Sequence, residues 1–239
     1  MASFGYDTCA VDFSYNSIIA ALPCALTELQ KRMTNPFRVL SWSTESRLAM
    51  ACANQFKAAC TTILQDMRTR GCHNPSDLSV GAQLLKVVDP QTGSQLSDAQ
   101  LTAEIGTFLM GGFETTAHTL SFTVFCIANN LEVQDRITAE LTSLGLLRGH
   151  DGKSESRGLQ YEDLPKLSYL DSVLKESMRM FPVVAGFPRL CAQPTQIGQH
   201  IVPKGFFVYV LFHALHNSGR YWKDPDQFQP DRWTGKSTE

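Results

Sequence analysis

Apolar residues recur at helical spacing through most of this 239-residue chain. The first two such stretches cover 14–33 and 44–70, parted by Asn35-Pro36. The second closes on Arg68, Arg70 and Gly71, cations in a last turn followed by a helix-stopping residue. After Cys72-His73-Asn74-Pro75, the pattern predicts a short helix over 78–88, and Asp89-Pro90-Gln91-Thr92-Gly93 reads as a turn. Ser97 then stands as an N-cap with Asp98 in the first turn of the longest helix, 97–129. Leu101, Ile105, Phe108, Leu109, Leu120, Val124 and Ile127 form its apolar stripe, while Phe113, Phe122 and Phe125 make other faces apolar too. A helix apolar on several faces is expected to cross the middle of a domain.

Helical spacing continues over 131–144, lapses through the Gly-, Ser- and charge-rich 146–161, and resumes over 164–181 until Pro182 stops it. Leu167, Leu170, Leu174, Met178 and Phe181 line one side of that last helix; Tyr169, Val173 and Met180 line the other, so it too is expected to be largely buried. Beyond Pro182 the period shortens. The stretches 197–202 and 206–211 flank Pro203-Lys204-Gly205 and predict a short β-hairpin. The final 25 residues, with Pro225 and Pro230, read as irregular. The fold class is mainly α with a small antiparallel β-sheet.

Composition narrows the picture. With 43% hydrophobic and 18% charged residues, disorder and fibrous classes are excluded for the bulk of the chain. A net charge of −2 argues against nucleic-acid binding driven by a positive field. Seven cysteines, an odd number without a C-x-x-C pair, match neither a disulfide framework nor a zinc site; reduced thiols filling core space are expected. The first residues carry neither a basic nor an apolar region of the kind a signal peptide needs. The stretch 105–131 is weakly charged, but Glu114, His118 and three glycines suit a buried helix of a globular domain better than a membrane span.

Chemistry concentrates at three places. Gly111-Gly112 lies inside the longest helix, where each glycine costs about 0.8–1 kcal/mol relative to alanine, so space beside the backbone is the expected benefit. Glu114 and Thr115 follow directly, and a buried carboxylate there needs a partner. Two readings stand: a proton-delivery pair beside a flat ligand, or a tight helix crossing with a satisfied glutamate. Next, Glu176 and Arg179 are three apart and hence neighbours on one helix surface. Flanked by Tyr169, Val173 and Met180, Glu176 is expected to face the interior. Last, Arg232 sits in a proline-stiffened segment from which its planar fork can reach a distant carboxylate.

In this order and spacing the three elements resemble the cytochrome P450 family. Gly111-Gly112-Phe113-Glu114-Thr115-Thr116 is similar to its [AG]-G-x-[DE]-T-[TS] motif. Glu176-Ser177-Met178-Arg179 resembles its E-x-x-R, and Phe228-Gln229-Pro230-Asp231-Arg232-Trp233 its F-x-P-x-R-[FW] segment. The resemblance extends over nearly the whole chain and implies a partial cytochrome P450 fold, a single partial domain over 1–239 from before helix F to just before the family's cysteine loop. The implied activity is a monooxygenase that inserts one oxygen atom from O2 into a small apolar organic substrate. The implied cofactor is haem, an iron protoporphyrin, and the implied electron donor a reductase or ferredoxin. By position, Thr115 would hydrogen-bond dioxygen and Glu114 would help deliver protons. Gly111 and Gly112 would let the helix pass close to the porphyrin, and Arg189 would pair with a propionate. Glu176, Arg179 and Arg232 would form a structural triad; Phe113, Val183, Val184 and Phe187 would line the substrate side.

One departure matters. The F-x-x-G-x-R-x-C-x-G loop that supplies the iron ligand lies downstream of the F-x-P-x-R-W segment in the family, and none of Cys9, Cys24, Cys52, Cys60, Cys72, Cys126 or Cys191 has that context. The axial cysteine is expected beyond Glu239, the sequence is expected to be an internal fragment, and this chain alone is expected to be inactive for want of the electron-rich thiolate. For the complete eukaryotic-type protein, membrane association at the endoplasmic reticulum or an organelle is implied. A non-catalytic helical remnant or interaction module descended from such an enzyme would carry the same motifs. A di-iron bundle finds little support, since Glu114 and His118 are four apart rather than in a Glu-x-x-His pattern. His213 and His216 have no further candidate metal ligands in sequence.

Overall fold

The computed structural model describes Phe4, positions within 21–35, and residues 44–69, 79–91, 93–147 and 156–235. The expected helix start at 14–20, the Arg70-Gly71 stop, the 72–75 loop, Cys9 and Cys72 lie outside the described residues. The chain divides into two compact units, Met1–Phe113 and Glu114–Glu239.

In the first unit the described positions between 21 and 32 are helical. They pack against α1 (Thr44–Thr69) in antiparallel sense, with Ser46 Oγ donating to Glu28 Oε1 at 3.2 Å and Lys31 paired with Glu45 at 3.5 Å. A short α2 (Val80–Lys86) follows, capped where Ser79 Oγ accepts from the Ala82 N–H. The long α3 (Asp98–Ala128) begins at Ser97, whose N–H donates to Gln100 Oε1 at 2.9 Å while its Oγ accepts the Gln100 N–H at 3.4 Å, a reciprocal box. Phe4, Cys60, Ile63, Leu64, Met67, Leu101 and Ile105 build the core of this unit, where α1 meets the start of α3.

The second unit is organised by α4 (Leu131–Ser143) and α5 (Ser168–Met180). Val133, Tyr169 and Val173 form its small core, backed by Ile127, Ile137 and Phe228. The Glu140 carboxylate on α4 accepts the Tyr169 and Leu170 N–H groups at 2.7 and 3.0 Å, so an acid from one helix caps the positive end of the next. The expected helix over 164–181 is two elements: a 3-10 turn, Tyr161–Lys166, and then α5. The break falls at Leu167, whose ψ of 56° lies outside the helical region.

Four strands follow. β1 (Gly186–Leu190), β2 (Thr195–Ile197), β3 (His200–Val202) and β4 (Phe207–Leu211) make two antiparallel pairs, β1 with β4 and β2 with β3. The expected hairpin across Pro203-Lys204-Gly205 is therefore not the pairing observed. Gly198, at φ +59°, closes a two-residue turn that brings Ile197 opposite His200, while 207–211 returns to the unanticipated β1 with Leu190 opposite Phe207. Helix α6 (Phe212–His216) and a 3-10 turn opened by Pro230 (Pro230–Trp233) complete the unit.

A second correction concerns α3. Leu101 and Ile105 are buried, as are Thr123 and Cys126, but Phe108, Phe113, Leu120, Val124 and Phe125 are exposed. The apolar faces anticipated for this helix exist, yet among the described residues little covers them. On α5 the buried face carries Tyr169, Val173 and Glu176, whereas Met178 on the opposite side is exposed. Cys60, Cys126 and Cys191 fill core space as expected; Cys24 and Cys52 are only half-buried.

Candidate active site

The second unit is tied together by one carboxylate. Glu176 on α5 has no exposed surface and accepts five hydrogen bonds, two from Arg179 on its own helix and three from the distant 229–233 segment. Arg179, one turn on, donates from Nε to Oε2 and from Nη2 to Oε1, both at 2.9 Å. From the 229–233 segment come the Gln229 N–H at 3.0 Å, Arg232 Nε at 3.1 Å and the Trp233 indole N–H at 3.0 Å. Burial pushes the Glu176 carboxyl up, but these donors outweigh it and hold the group below the ordinary carboxylate range.

The two guanidinium groups have further work. Arg179 Nη1 donates to the His216 carbonyl at 2.8 Å, and Nη2 reaches the Pro225 and Gln227 carbonyls at 2.8 and 3.3 Å. Arg232 Nη2 donates to the Asp224 carbonyl at 2.6 Å. Asp224 stands at φ +48°, a left-handed conformation that aspartate tolerates better than most residues. Trp222 stacks its ring toward Arg179 at 5.3 Å and lies 5.6 Å from Trp233. Burial and the Arg179 charge push the His216 imidazole down, so it is neutral beside the network. Outside it, Arg136 on α4 makes a bidentate pair with Asp231 at 2.7 and 2.8 Å and lies 3.9 Å over the Tyr169 ring.

The Gly111-Gly112-Phe113-Glu114-Thr115 run lies on α3, helical throughout. A Cβ placed on either glycine would meet nothing within 4 Å, so tight helix packing does not explain the pair. Glu114 and Thr115 are half-buried, which corrects the expectation of a fully buried carboxylate; Phe113 is exposed. Arg189 on β1 is exposed, with its guanidinium 3.9 Å over the Phe187 ring and Nη1 donating to the Pro188 carbonyl. Val183 and Phe187 are half-buried, and Val184 is exposed. The open glycine pair suits close approach of a flat ligand, and, separately, the exposed Arg189 guanidinium on the Phe187 ring suits an anionic group. No group of three or more potential metal ligands occurs among the described residues.

Glu176, Arg179 and Arg232 thus converge, and two partners of Glu176 escaped sequence reasoning. The Trp233 indole directly follows Arg232 and was within reach of inference; the Gln229 N–H, more than fifty residues from Glu176, left no side-chain signal. Likewise nothing in the spacing of Glu140 pointed to the cap it provides.

Known proteins place this arrangement. The sequence profile of the cytochrome P450 family matches residues 8–239. Cyclooctat-9-en-7-ol 5-monooxygenase of Streptomyces melanosporofaciens is 33% identical over 173 residues, covering 72% of this chain and 35% of that protein. Cytochrome P450 4V2 of Mus musculus is 35% identical over 156 residues, covering 65% of this chain and 28% of that protein. The crystal structure of a cytochrome P450 (CYP102L1) superposes with a TM-score of 0.82 at 26% identity, covering 98% of this chain and 52% of that one. This chain therefore spans about a third of the length of these curated relatives and about half of the solved one. No described helix is long and apolar enough to cross a membrane. The fold, its motifs and the family profile agree: the chain belongs to the cytochrome P450 family.

Proposed function

We propose that this chain is part of the single catalytic domain of a haem-thiolate monooxygenase, acting on an apolar organic substrate with O2 and electrons from a reductase or ferredoxin. The observation that carries this proposal is the open glycine pair on α3, directly followed by a half-buried acid and hydroxyl. When bound, haem supplies the redox chemistry that activates dioxygen. Gly111 and Gly112 present bare backbone to the macrocycle, and the Arg189 guanidinium pairs with a propionate. Phe113, Val183, Val184 and Phe187 hold the apolar substrate and exclude water from it. Glu114, half-exposed, reloads its proton from solvent and passes it toward the substrate side, where the Thr115 hydroxyl positions it.

Glu176, Arg179 and Arg232 act at a distance from the reacting atoms. They fix the 224–233 segment, after which the family places its cysteine loop, and so set the direction in which the chain continues. The thiolate on which the proposed chemistry depends would come from that loop. Membrane association of the complete protein belongs to the same proposal. Its test is Thr115→Ala in the complete enzyme. Oxygen consumption is expected to continue while product per oxygen falls at least about tenfold, the scale of losing a proton-transfer group; unchanged coupling would remove Thr115 from the mechanism.

A further inference from the structure

Two contacts fix the register between the helical 21–32 stretch and α1: Lys31 with Glu45, and Glu28 with Ser46. Two helical turns back from Lys31 is Cys24, and two turns on from Glu45 is Cys52. Residues seven apart share a helix face, so an antiparallel pair in this register sets the two thiols opposite each other. The neighbouring Cys52 thiol, with burial and the Glu28 carboxylate, pushes the Cys24 thiol up.

Access separates this pair from the other described thiols. Cys24 lines an open cavity of about 310 Å³ with Thr27, Glu28, Leu48 and Ala49. Cys24 and Cys52 are half-exposed, whereas Cys60, Cys126 and Cys191 are buried, and burial pushes the Cys60 thiol up to about 11. Reactivity toward oxidants follows access as well as thiolate character, and burial denies access to Cys60, Cys126 and Cys191 alike.

We propose that Cys24 and Cys52 form an oxidation-sensitive dithiol, which hydrogen peroxide converts into a disulfide joining the helical segment around Cys24 to α1. In the first step the sulfur of one cysteine attacks peroxide, the O–O bond breaks, and a sulfenic acid and one water form. The second sulfur then attacks the sulfenic sulfur, expelling a second water and closing the S–S bond. Two electrons pass from the thiols to the peroxide, and both thiol protons end in water. The product pins the hairpin in its present register.

The test uses the full 239-residue chain, reduced, treated with hydrogen peroxide, blocked with iodoacetamide, digested and mapped by mass spectrometry. The expected product is one cross-linked peptide pair joining Cys24 to Cys52, lighter than its parts by two hydrogens. It should exceed any other pairing by at least about tenfold, given the buried competitors. The same treatment in urea should erase that preference. Cys24→Ser or Cys52→Ser should abolish the product, and Cys60→Ser should leave it. A native chain that yields no such peptide, or yields the same mixture of pairings as the urea-unfolded chain, would overturn the proposal whatever the variants do.

Discussion

A carboxylate with no exposed surface is costly unless every lone pair is met, and Glu176 meets its own with donors from Arg179, Gln229, Arg232 and Trp233. Removing one donor leaves charge unpaired. Trp233→Phe keeps an aromatic ring, though a smaller one, and deletes one hydrogen bond to an ionised group, an expected loss of at least about 1.5–3 kcal/mol in urea unfolding. The pH dependence has a definite sign. Because the folded Glu176 carboxyl lies below its unfolded value, the network's stabilisation is present above roughly pH 4.3 and declines as pH falls through the folded value. Asp231, held down chiefly by its hydrogen bonds from Arg136, adds in the same direction. Glu176→Gln should lower stability at neutral pH and flatten the acid limb; an unchanged acid limb would place the sensitivity elsewhere. The glycines divide by contact. A Cβ at Gly186 would collide with the Val210 carbonyl, so Gly186→Ala should destabilise the β1–β4 pair by about 1–3 kcal/mol. Gly112→Ala meets open space and should stabilise this chain by up to about 1 kcal/mol through helix propensity, as thermal melts would record.

Among the elements, the α4–α5 joint rests on Glu140 capping α5 through two N–H groups. Glu140→Gln keeps an acceptor but loses the charge at a helix N-terminus, and should cost about 0.5–1 kcal/mol, read from the urea midpoint. Helices over 44–69, 98–128 and 131–143 were legible from their apolar period, supported in the second by the Ser97 cap. The strands were less so. The pairing of 207–211 with 186–190 depends on partners some twenty residues apart, and the 197–202 segment folds on itself through Gly198, a turn signal that the Pro203-Lys204-Gly205 run overshadowed. The two-part entry to α5 turns on the non-helical backbone of Leu167, a break that the continuing apolar period did not signal.

For the whole molecule, the local pattern revealed which faces are apolar without revealing what covers them. Phe113, Leu120, Val124 and Phe125 on α3 are exposed, as are Phe207, Tyr209 and Leu211 on β4. In the proposal above, these are surfaces that a complete P450 domain and its haem cover. The convergence of Glu176, Arg179 and Arg232 was legible through two motifs, because E-x-x-R and the distant arginine are charged groups with few alternatives once buried. The backbone acceptors on His216 and Pro225 carried no such signature. The most direct measurement is the reduced carbon-monoxide difference spectrum of haem-reconstituted protein. It would be taken for this chain alone and for a complete protein carrying the cysteine loop after the Phe228-Gln229-Pro230-Asp231-Arg232-Trp233 segment. A thiolate-type Soret band is expected from the complete protein and none from the chain alone. A thiolate band from the chain alone, or its absence from the complete protein, would contradict the proposed haem-thiolate function.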